Sequence, residues 1–481
     1  MTPPNCLVNN ESNSLNLETA KKLEYYYLNN CVEWIKARGL KTVCLQFPDT
    51  LLKDSAIIAL ELEQLLGHKV YILGDTTCGS CCVDEVAADH IKADGIIHFG
   101  HACLNPTIKL PIFHVLPKSN IDIDVFIQSF CDYFDCDRNI LFFYDVSYAH
   151  AIESIWKKLK EKNYNKLKLT LLNCKSNIDF TDKKSDDSDK KKVIIGRELL
   201  LNDEKFEDFV GFYLGDNNKT LASFALSIPV QNWYYCTGKI EEESTKMDIN
   251  EFEVTKNPWL RRRRFLVEKL KDAKVIGIVV ATLGIQNYLD VLDMIKGILK
   301  RKNIKSYIFS VGKPNPAKLA NFAEVDAFVV IACPENEIFD SKDYYKPLCT
   351  PFEVELAFND SREFSTNYCL DFRQLLPGGI NYVEFKPTDE SDISLITGQL
   401  RNYSSESGEQ TDTEKMKTLA CKNDGTVAIG KAGADFLLNR SWQGLEQKLG
   451  ETEIKTAEQG RRGLPINYDT EPLINKTSLI L

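Results

Sequence analysis

Three cysteines, Cys78, Cys81 and Cys82, fall within five positions of "GDTTCGSCCVDEVAADH" (residues 74–90), beside a glycine–serine turn. Four chemistries use thiols grouped in this way: a disulfide, a zinc site, a reactive thiol and an iron–sulfur cluster. Cys78 to Cys81 is formally a C-x-x-C, and a thioredoxin-like reading needs that motif to open a helix in a βαβ setting. The reading leaves Cys82, Cys103 and Cys333 without a role. Structural zinc uses paired C-x₂₋₄-C knuckles or closely spaced histidines, and neither Cys103 nor Cys333 has a partner cysteine at that spacing. Buried core thiols are the plainest alternative. That suits Cys44, inside an apolar run, better than it suits a glycine–serine turn.

The elements that would carry these residues are legible as strands and helices in alternation. "TVCLQF" (42–47), "KVYILGD" (69–75) and "GIIHFG" (95–100) read as buried strands, and a helical stripe at Leu52, Ile58, Leu62 and Leu65 lies between the first two. The order recurs with "KVIGIVVAT" (274–282), "KSYIFSVG" (305–312) and "DAFVVIAC" (326–333). A middle copy starts at "NILFFYDVSY" (139–148), passes through "LKLTLL" (167–172), and continues with "VIIGREL" (193–199) and "FVGFYLGD" (209–216). Such alternation predicts right-handed crossovers and parallel sheets, and its recurrence predicts three similar α/β domains. Ligands bind such sheets outside the carboxyl ends of the strands. The turn after Asp75, the loop after Gly100 and the turn at Cys333 all occupy such ends. Thiolates there suit iron, which is soft, and three of them would leave one iron of a four-iron cluster open.

Other groups carry less chemistry. His98 and His101 flank the third strand, and loop histidines more often pack or hydrogen-bond than ligate. "RRRR" (261–264) lies in a helical run and is expected to form a solvated or interdomain face. The chain has no P-loop, G-x-G-x-x-G, HExxH or G-x-S-x-G.

The whole chain has 481 residues, 15 cysteines and a net charge of -10. An acidic protein has no general attraction for nucleic acid phosphates or anionic membranes. Its polar start and lack of a long apolar run imply neither targeting nor membrane insertion, and hence a cytoplasmic location. In that reducing compartment a disulfide framework is not expected. Residues 176–192 and 402–417 are charged and poor in apolar groups, and are expected to be disordered.

Six blocks in order, "GDTTCGSCCVDEVAADH", "IIHFGHACLNPT", "RRRRFLVEKLKDA", "KPNPAKLANFAEVDAFVVIACP", "SWQGLEQKLG" and "GRRGLPINYD", closely resemble the diphthamide biosynthesis family. The resemblance runs from about residue 25 to 470. It implies three duplicated Rossmann-like α/β domains with parallel sheets around a central [4Fe-4S] cluster, plus a C-terminal extension. The expected boundaries are 20–135, 136–265 with the insert 176–192, 266–400, and 401–481 with the linker 402–417. The implied reaction moves a 3-amino-3-carboxypropyl group from S-adenosylmethionine to a histidine of elongation factor 2. The implied partners are diphthamide biosynthesis protein 1, in a heterodimer, and a small iron-protein electron donor with its reductase.

The resemblance carries the metal ligands to Cys82, Cys103 and Cys333, with Cys81 as the alternative to Cys82. S-adenosylmethionine is expected on the partner subunit. The middle repeat departs from the family pattern: "IIGREL" has Arg197 where relatives place a thiol, and Cys103 can replace it. Cys78 stands where relatives commonly carry tyrosine, and is expected not to be a ligand. These departures imply a subunit that supports reduction of its partner's cluster rather than catalysing alone. A directly catalytic subunit, and a structural partner with relic cysteines, remain the competing readings.

Overall fold

The computed structural model describes residues 25–401 except 75–79, 179–190, 202–203, 240–245, 283, 313, 340–341, 366 and 387–391, together with 460, 463–464 and 467–468. The chain divides into two compact units, Met1–Ser407 and Gly408–Leu481. The first unit is a mixed α/β structure built on three largely parallel sheets.

The first sheet takes helix α1 (Leu28–Arg38), strand β1 (Val43–Gln46), α2 (Ser55–Leu66), β2 (Val70–Leu73), α3 (Glu85–Asp89), β3 (Gly95–Phe99) and β4 (Ile112–Val115). Its strands run parallel in the order β2-β1-β3-β4. The central strands β1 and β3 are buried along their whole length, whereas the edge strand β2 exposes Tyr71. Continuous apolar runs are what a parallel sheet covered on both faces requires.

The second group contains α4 (Ile123–Tyr133), β5 (Ile140–Tyr144), α5 (Ala149–Glu161), β6 (Leu167–Leu169), β7 (Leu171–Leu172), β8 (Lys191–Ile194), β9 (Arg197–Leu200), β10 (Val210–Leu214), α6 (Lys219–Ser227), β11 (Trp233–Cys236) and β12 (Ile249–Phe252). Its main sheet has the order β12-β11-β10-β5-β6, with only β12 antiparallel. Phe126, Phe130, Phe142 and Phe212 pack into its core, with the Phe130 and Phe212 rings edge to face at 5.0 Å.

The third group contains α7 (Pro258–Lys271), β13 (Val275–Val280), α8 (Tyr288–Arg301), β14 (Lys305–Ser310), α9 (Pro316–Ala320), β15 (Ala327–Ile331), β16 (Leu348–Cys349) and α10 (Pro351–Phe358). Its parallel sheet has the order β14-β13-β15-β16. In each sheet the first strand lies between the second and the third, and the fourth follows the third. Several single-turn 3-10 helices link these elements, and two short hairpins follow: β17 (Asp392–Ile393) with β18 (Leu400–Arg401), and, in the second unit, β19 (Gly463–Leu464) with β20 (Asn467–Tyr468).

Three expectations need correction. "VIIGREL" is not a strand of the middle parallel sheet. It is a hairpin, β8 to β9, in a separate antiparallel sheet of order β7-β9-β8. Its turn residues Ile195 and Gly196 both have positive φ, 46° and 68°, the backbone a two-residue hairpin turn needs.

The segment 176–192 is ordered at both ends. Ser176 and Asn177 are buried, Asn177 Oδ1 accepts the Leu116 N–H at 3.0 Å, and Lys191 opens β8. Low hydrophobicity did not reveal that polar groups can be anchored by backbone partners. Residues 179–190 and 402–417 lie outside the described residues.

The arginine run is not wholly a solvated face. Arg263 falls on the buried stripe of α7 with Leu260, Leu266, Val267 and Leu270, while Arg261 and Arg264 are exposed. Its side chain is 1% exposed and ion-paired with Glu353, with Nε to Oε1 at 2.7 Å. Arg263 also donates to Leu348 O at 3.0 Å and lies over the Trp259 ring. Glu353 in turn completes a capping box with Thr350 at the start of α10.

Candidate metal centre

The cysteine turn is fastened to the end of β1 by one residue. Gln46, the last residue of that strand, is fully buried; its Nε2 donates to Cys82 O at 2.7 Å and its Oε1 accepts from Asp84 N at 3.0 Å. Asp84 caps α3 by accepting the Ala87 N–H at 2.9 Å. Buried Glu85 then accepts the backbone N–H groups of Ile108, Lys109 and Leu110. These bonds tie the thiol turn to the loop beyond Cys103.

That loop leaves β3 at Gly100, whose φ of +94° is a backbone open to glycine, and where a Cβ would lie 2.9 Å from Pro48 Cγ. Cys103 N donates to Cys81 O at 3.1 Å, so the two thiol-bearing turns are bonded directly. Gly196, in the β8–β9 turn, packs against the same backbone: a Cβ there would lie 2.5 Å from Leu104 Cβ and 3.2 Å from Cys103 O. The middle group therefore touches the thiol loop with a glycine turn. Arg197 itself is 3% exposed, donates to Tyr144 O at 3.2 Å and lies over the Phe224 ring.

The third contribution comes from the end of β15. Cys333 follows that strand, with Glu335 N donating to its Sγ at 3.4 Å. The Sγ atoms of Cys81, Cys82, Cys103 and Cys333 all lie within 4.8 Å of one another. Cys82 and Cys103 are 3.6 Å apart, and Cys81 and Cys82 are 3.9 Å apart. Cys82, Cys103 and Cys333 are buried, while Cys81 is partly exposed. Cys103 ionises first among them, because hydrogen bonds from Cys333, Cys81 and Cys82 hold it well below the ordinary thiol range. The same sharing of protons, foremost with Cys103, pushes Cys82 and Cys333 well up.

Segments that follow the third strand of each sheet, two loops and the start of α6, meet beside the sulfurs. His101 Nε2 pairs with Glu335 Oε2 at 2.8 Å, Thr220 Oγ1 donates to Glu335 Oε1 at 3.3 Å, and Lys219 Nζ donates to Asn336 O. Burial pushes His101 toward its neutral form, but the bond to Glu335 and its charge outweigh burial and raise the imidazole above its ordinary value. His98 is a buried packing residue. Its Nε2 bonds His101 O at 3.1 Å, and its ring meets His114 edge-on at 5.6 Å.

Of the thiols singled out in the sequence, Cys81, Cys82, Cys103 and Cys333 come together, and Cys78 lies outside the described residues. Cys44 is a core residue whose thiol burial pushes up to about 11. Gln46, Glu335 and Asn105 were not legible as site residues. Asn105 donates through Nδ2 to Cys103 Sγ at 3.2 Å and to Cys333 Sγ at 3.1 Å. Its only advance signal was its place two positions after a cysteine.

With this geometry established, similarity to known proteins decides the family. The model of the diphthamide synthesis protein family matches residues 47–369. This chain belongs to that family. It is 39% identical over 462 residues to 2-(3-amino-3-carboxypropyl)histidine synthase subunit 2 of Gallus gallus, covering 94% of this chain and 93% of the relative. The Schizosaccharomyces pombe subunit 2 is 36% identical, with 93% and 90% covered. Among solved structures, Dph2 from Pyrococcus horikoshii, determined with a 4Fe-4S cluster, is similar in fold at a TM-score of 0.52 and 18% identity. That similarity covers 71% of this chain and 94% of the archaeal one. Among the described residues, no helix is long and apolar enough to cross a membrane.

Proposed function

We propose that this chain is the iron–sulfur subunit of the heterodimeric transferase that moves a 3-amino-3-carboxypropyl group from S-adenosylmethionine to a histidine of elongation factor 2. Its partner is the paralogous first subunit, diphthamide biosynthesis protein 1. The observation that carries this reading is the convergence of four thiols from two different sheets. The donor set fits a [4Fe-4S] cluster. The sulfurs are soft, and three are buried. The Asn105 amide and the Glu335 N–H donate hydrogen bonds to them, as suits thiolate ligands.

Cys82, Cys103 and Cys333 hold the cluster, with Cys81 at the rim. When bound, the cluster supplies one-electron transfer. Gln46 fixes the Cys82 turn, Asn105 joins the two sheets' sulfurs, and the His101–Glu335 pair closes the loops around them. The three sheets with one strand order derive from a duplicated α/β unit, with domains at 20–135, 136–265 and 266–400. The middle copy has Arg197 in place of a thiol, so the chain supports reduction of its partner's cluster and does not complete the transfer alone. The electrons come from a small iron protein and its reductase, in the cytoplasm.

The thiol missing from the middle copy's turn, where Arg197 stands, favours the relay over direct cleavage of S-adenosylmethionine. The test is a single-turnover assay on the anaerobically prepared heterodimer, with the cluster removed from one subunit at a time. Loss of turnover under excess strong reductant when only this subunit lacks its cluster would assign it the cleavage instead. A colourless, iron-free chain after anaerobic preparation would leave it a structural partner.

A further inference from the structure

Asn105 is placed to do more than hold a loop. Its side-chain nitrogen carries two N–H groups and faces two sulfurs, Cys103 Sγ at 3.2 Å and Cys333 Sγ at 3.1 Å, which belong to different sheets. The orientation of the amide follows from its other neighbour. Arg373 donates to Asn105 Oδ1 at 3.3 Å, and a guanidinium has donors only. The amide oxygen must therefore face Arg373, which turns the N–H groups onto the sulfurs.

Arg373 is itself fixed. Asp371 grips it with two bonds, Nε to Oδ1 at 2.9 Å and a terminal nitrogen to Oδ2 at 2.8 Å, and also accepts the Arg373 backbone N–H at 3.1 Å. The Arg373 and Asp371 side chains are 14% and 3% exposed. The result is a largely buried hydrogen-bonded chain, in which Arg373, held by Asp371, donates to Asn105 and Asn105 donates to the sulfurs. A cation pulling on the amide oxygen polarises the amide and strengthens its N–H bonds.

We propose that Asn105, oriented by Arg373, is a positioning residue that sets the reduction potential of the site. The proposal rests on the reading that the four cysteines hold an iron–sulfur cluster. Hydrogen bonds to cluster sulfurs are one of the determinants of such potentials. The reduced form carries one more negative charge and gains more from each donor than the oxidised form does. Asn105 and Arg373 therefore raise the potential and make the site easier to reduce, as a centre that accepts electrons from a donor protein requires.

The test is a redox titration of the full chain, reconstituted anaerobically with iron and sulfide and followed by electron paramagnetic resonance. Asn105→Leu keeps the side chain's branching and number of heavy atoms and removes both N–H bonds. It should retain iron, while its reduced fraction at the wild-type midpoint falls from half to about a tenth. That is a tenfold change in the ratio, or 59 mV for one electron. Arg373→Met, which touches no sulfur, should move the potential in the same direction by less. A midpoint unchanged in Asn105→Leu with iron retained overturns the proposal. Should Asn105→Leu fail to hold iron, Arg373→Met decides, and an unchanged midpoint there overturns it equally. A wild-type chain that takes up no cluster overturns the metal-site reading beneath it.

Discussion

Two polar clusters are buried in the first unit, and they are buried on different terms. Around Arg263 the charges are closed: Glu353 neutralises the guanidinium, Leu348 O and the Thr350 cap take further bonds, and Thr350 Oγ1 meets Tyr368 Oη at 2.7 Å. The cysteine cluster instead gathers four sulfurs whose hydrogen-bond partners are amides and each other. Burying thiolates without a cation is costly, so this arrangement is suited to a ligand in a way the Arg263 cluster is not. A complete polar network stabilises the fold; an incomplete one of soft donors marks a binding site.

The comparison is broken most severely at the sulfurs. Changing Cys82, Cys103 or Cys333 to alanine should strip most of the iron from the anaerobically prepared chain and slow product formation by the heterodimer, while association of the subunits persists. Because the proposed role is electron supply, dithionite should partly restore turnover. Iron content and turnover, with and without dithionite, check both parts. Full iron retention in all three variants would return these cysteines to the core.

At Arg263 the expected loss is of stability instead. Removing one partner of a buried pair leaves the other uncompensated, at a cost of about 3–5 kcal/mol. Arg263→Ala should lower the denaturant midpoint accordingly, without changing iron bound per folded chain. The double replacement Arg263→Met with Glu353→Met should recover most of that loss, since an apolar pair of similar volume needs no countercharge. If the single variant is as stable as the parent, the pair is not closed as the contacts indicate.

The two clusters also differ in how far the sequence revealed them. The strands of the first and third sheets and three thiol turns were legible, because buried parallel strands are short apolar runs and chemistry collects at their ends. Arg263 was misjudged for a physical reason: four like charges in a row look solvated, yet a helix turns one of each four toward its core. The β8–β9 hairpin was misread because its strand-like run gives no sign of which sheet it joins. Gln46, Asn105 and Arg373 stayed hidden because their importance lies in contacts across 36 and 268 positions of chain, which spacing cannot convey.

Acid should destabilise the first sheet through His114. His114, beside His98, is held neutral by burial and by the neighbouring ring, and falls from its ordinary 6.5 to about 3. Here the unfolded chain binds a proton that the folded chain refuses, so stability is lost as pH drops below about 6.5 and continues falling to about pH 3. By pH 5 the loss is about 2 kcal/mol for this group. Equilibrium unfolding of the full chain at pH 7 and pH 5 measures it, and His114→Gln should flatten the difference. An equally steep pH dependence in that variant would move the effect to other groups.

The smallest expected effect separates two adjacent thiols. Cys81 and Cys82 have sulfurs 3.9 Å apart, and both lie within the four-thiol group, so proximity does not choose between them. Their surroundings do. Cys82 is 4% exposed, its carbonyl is clamped by the side chain of Gln46, and its sulfur is 3.6 Å from that of Cys103. Cys81 is partly exposed and contributes its carbonyl to the Cys103 N–H, a bond that any residue could make. Cys81→Ala should therefore keep nearly all the iron, the backbone bond to Cys103 and most turnover, whereas Cys82→Ala should not. Iron content and the cluster's visible absorbance compare the two variants directly. If Cys81→Ala loses as much iron as Cys82→Ala, all four sulfurs ligate, and the site is closed to further ligands; if it alone loses iron, the ligand register lies one residue earlier and the Gln46 clamp acts on a non-ligand.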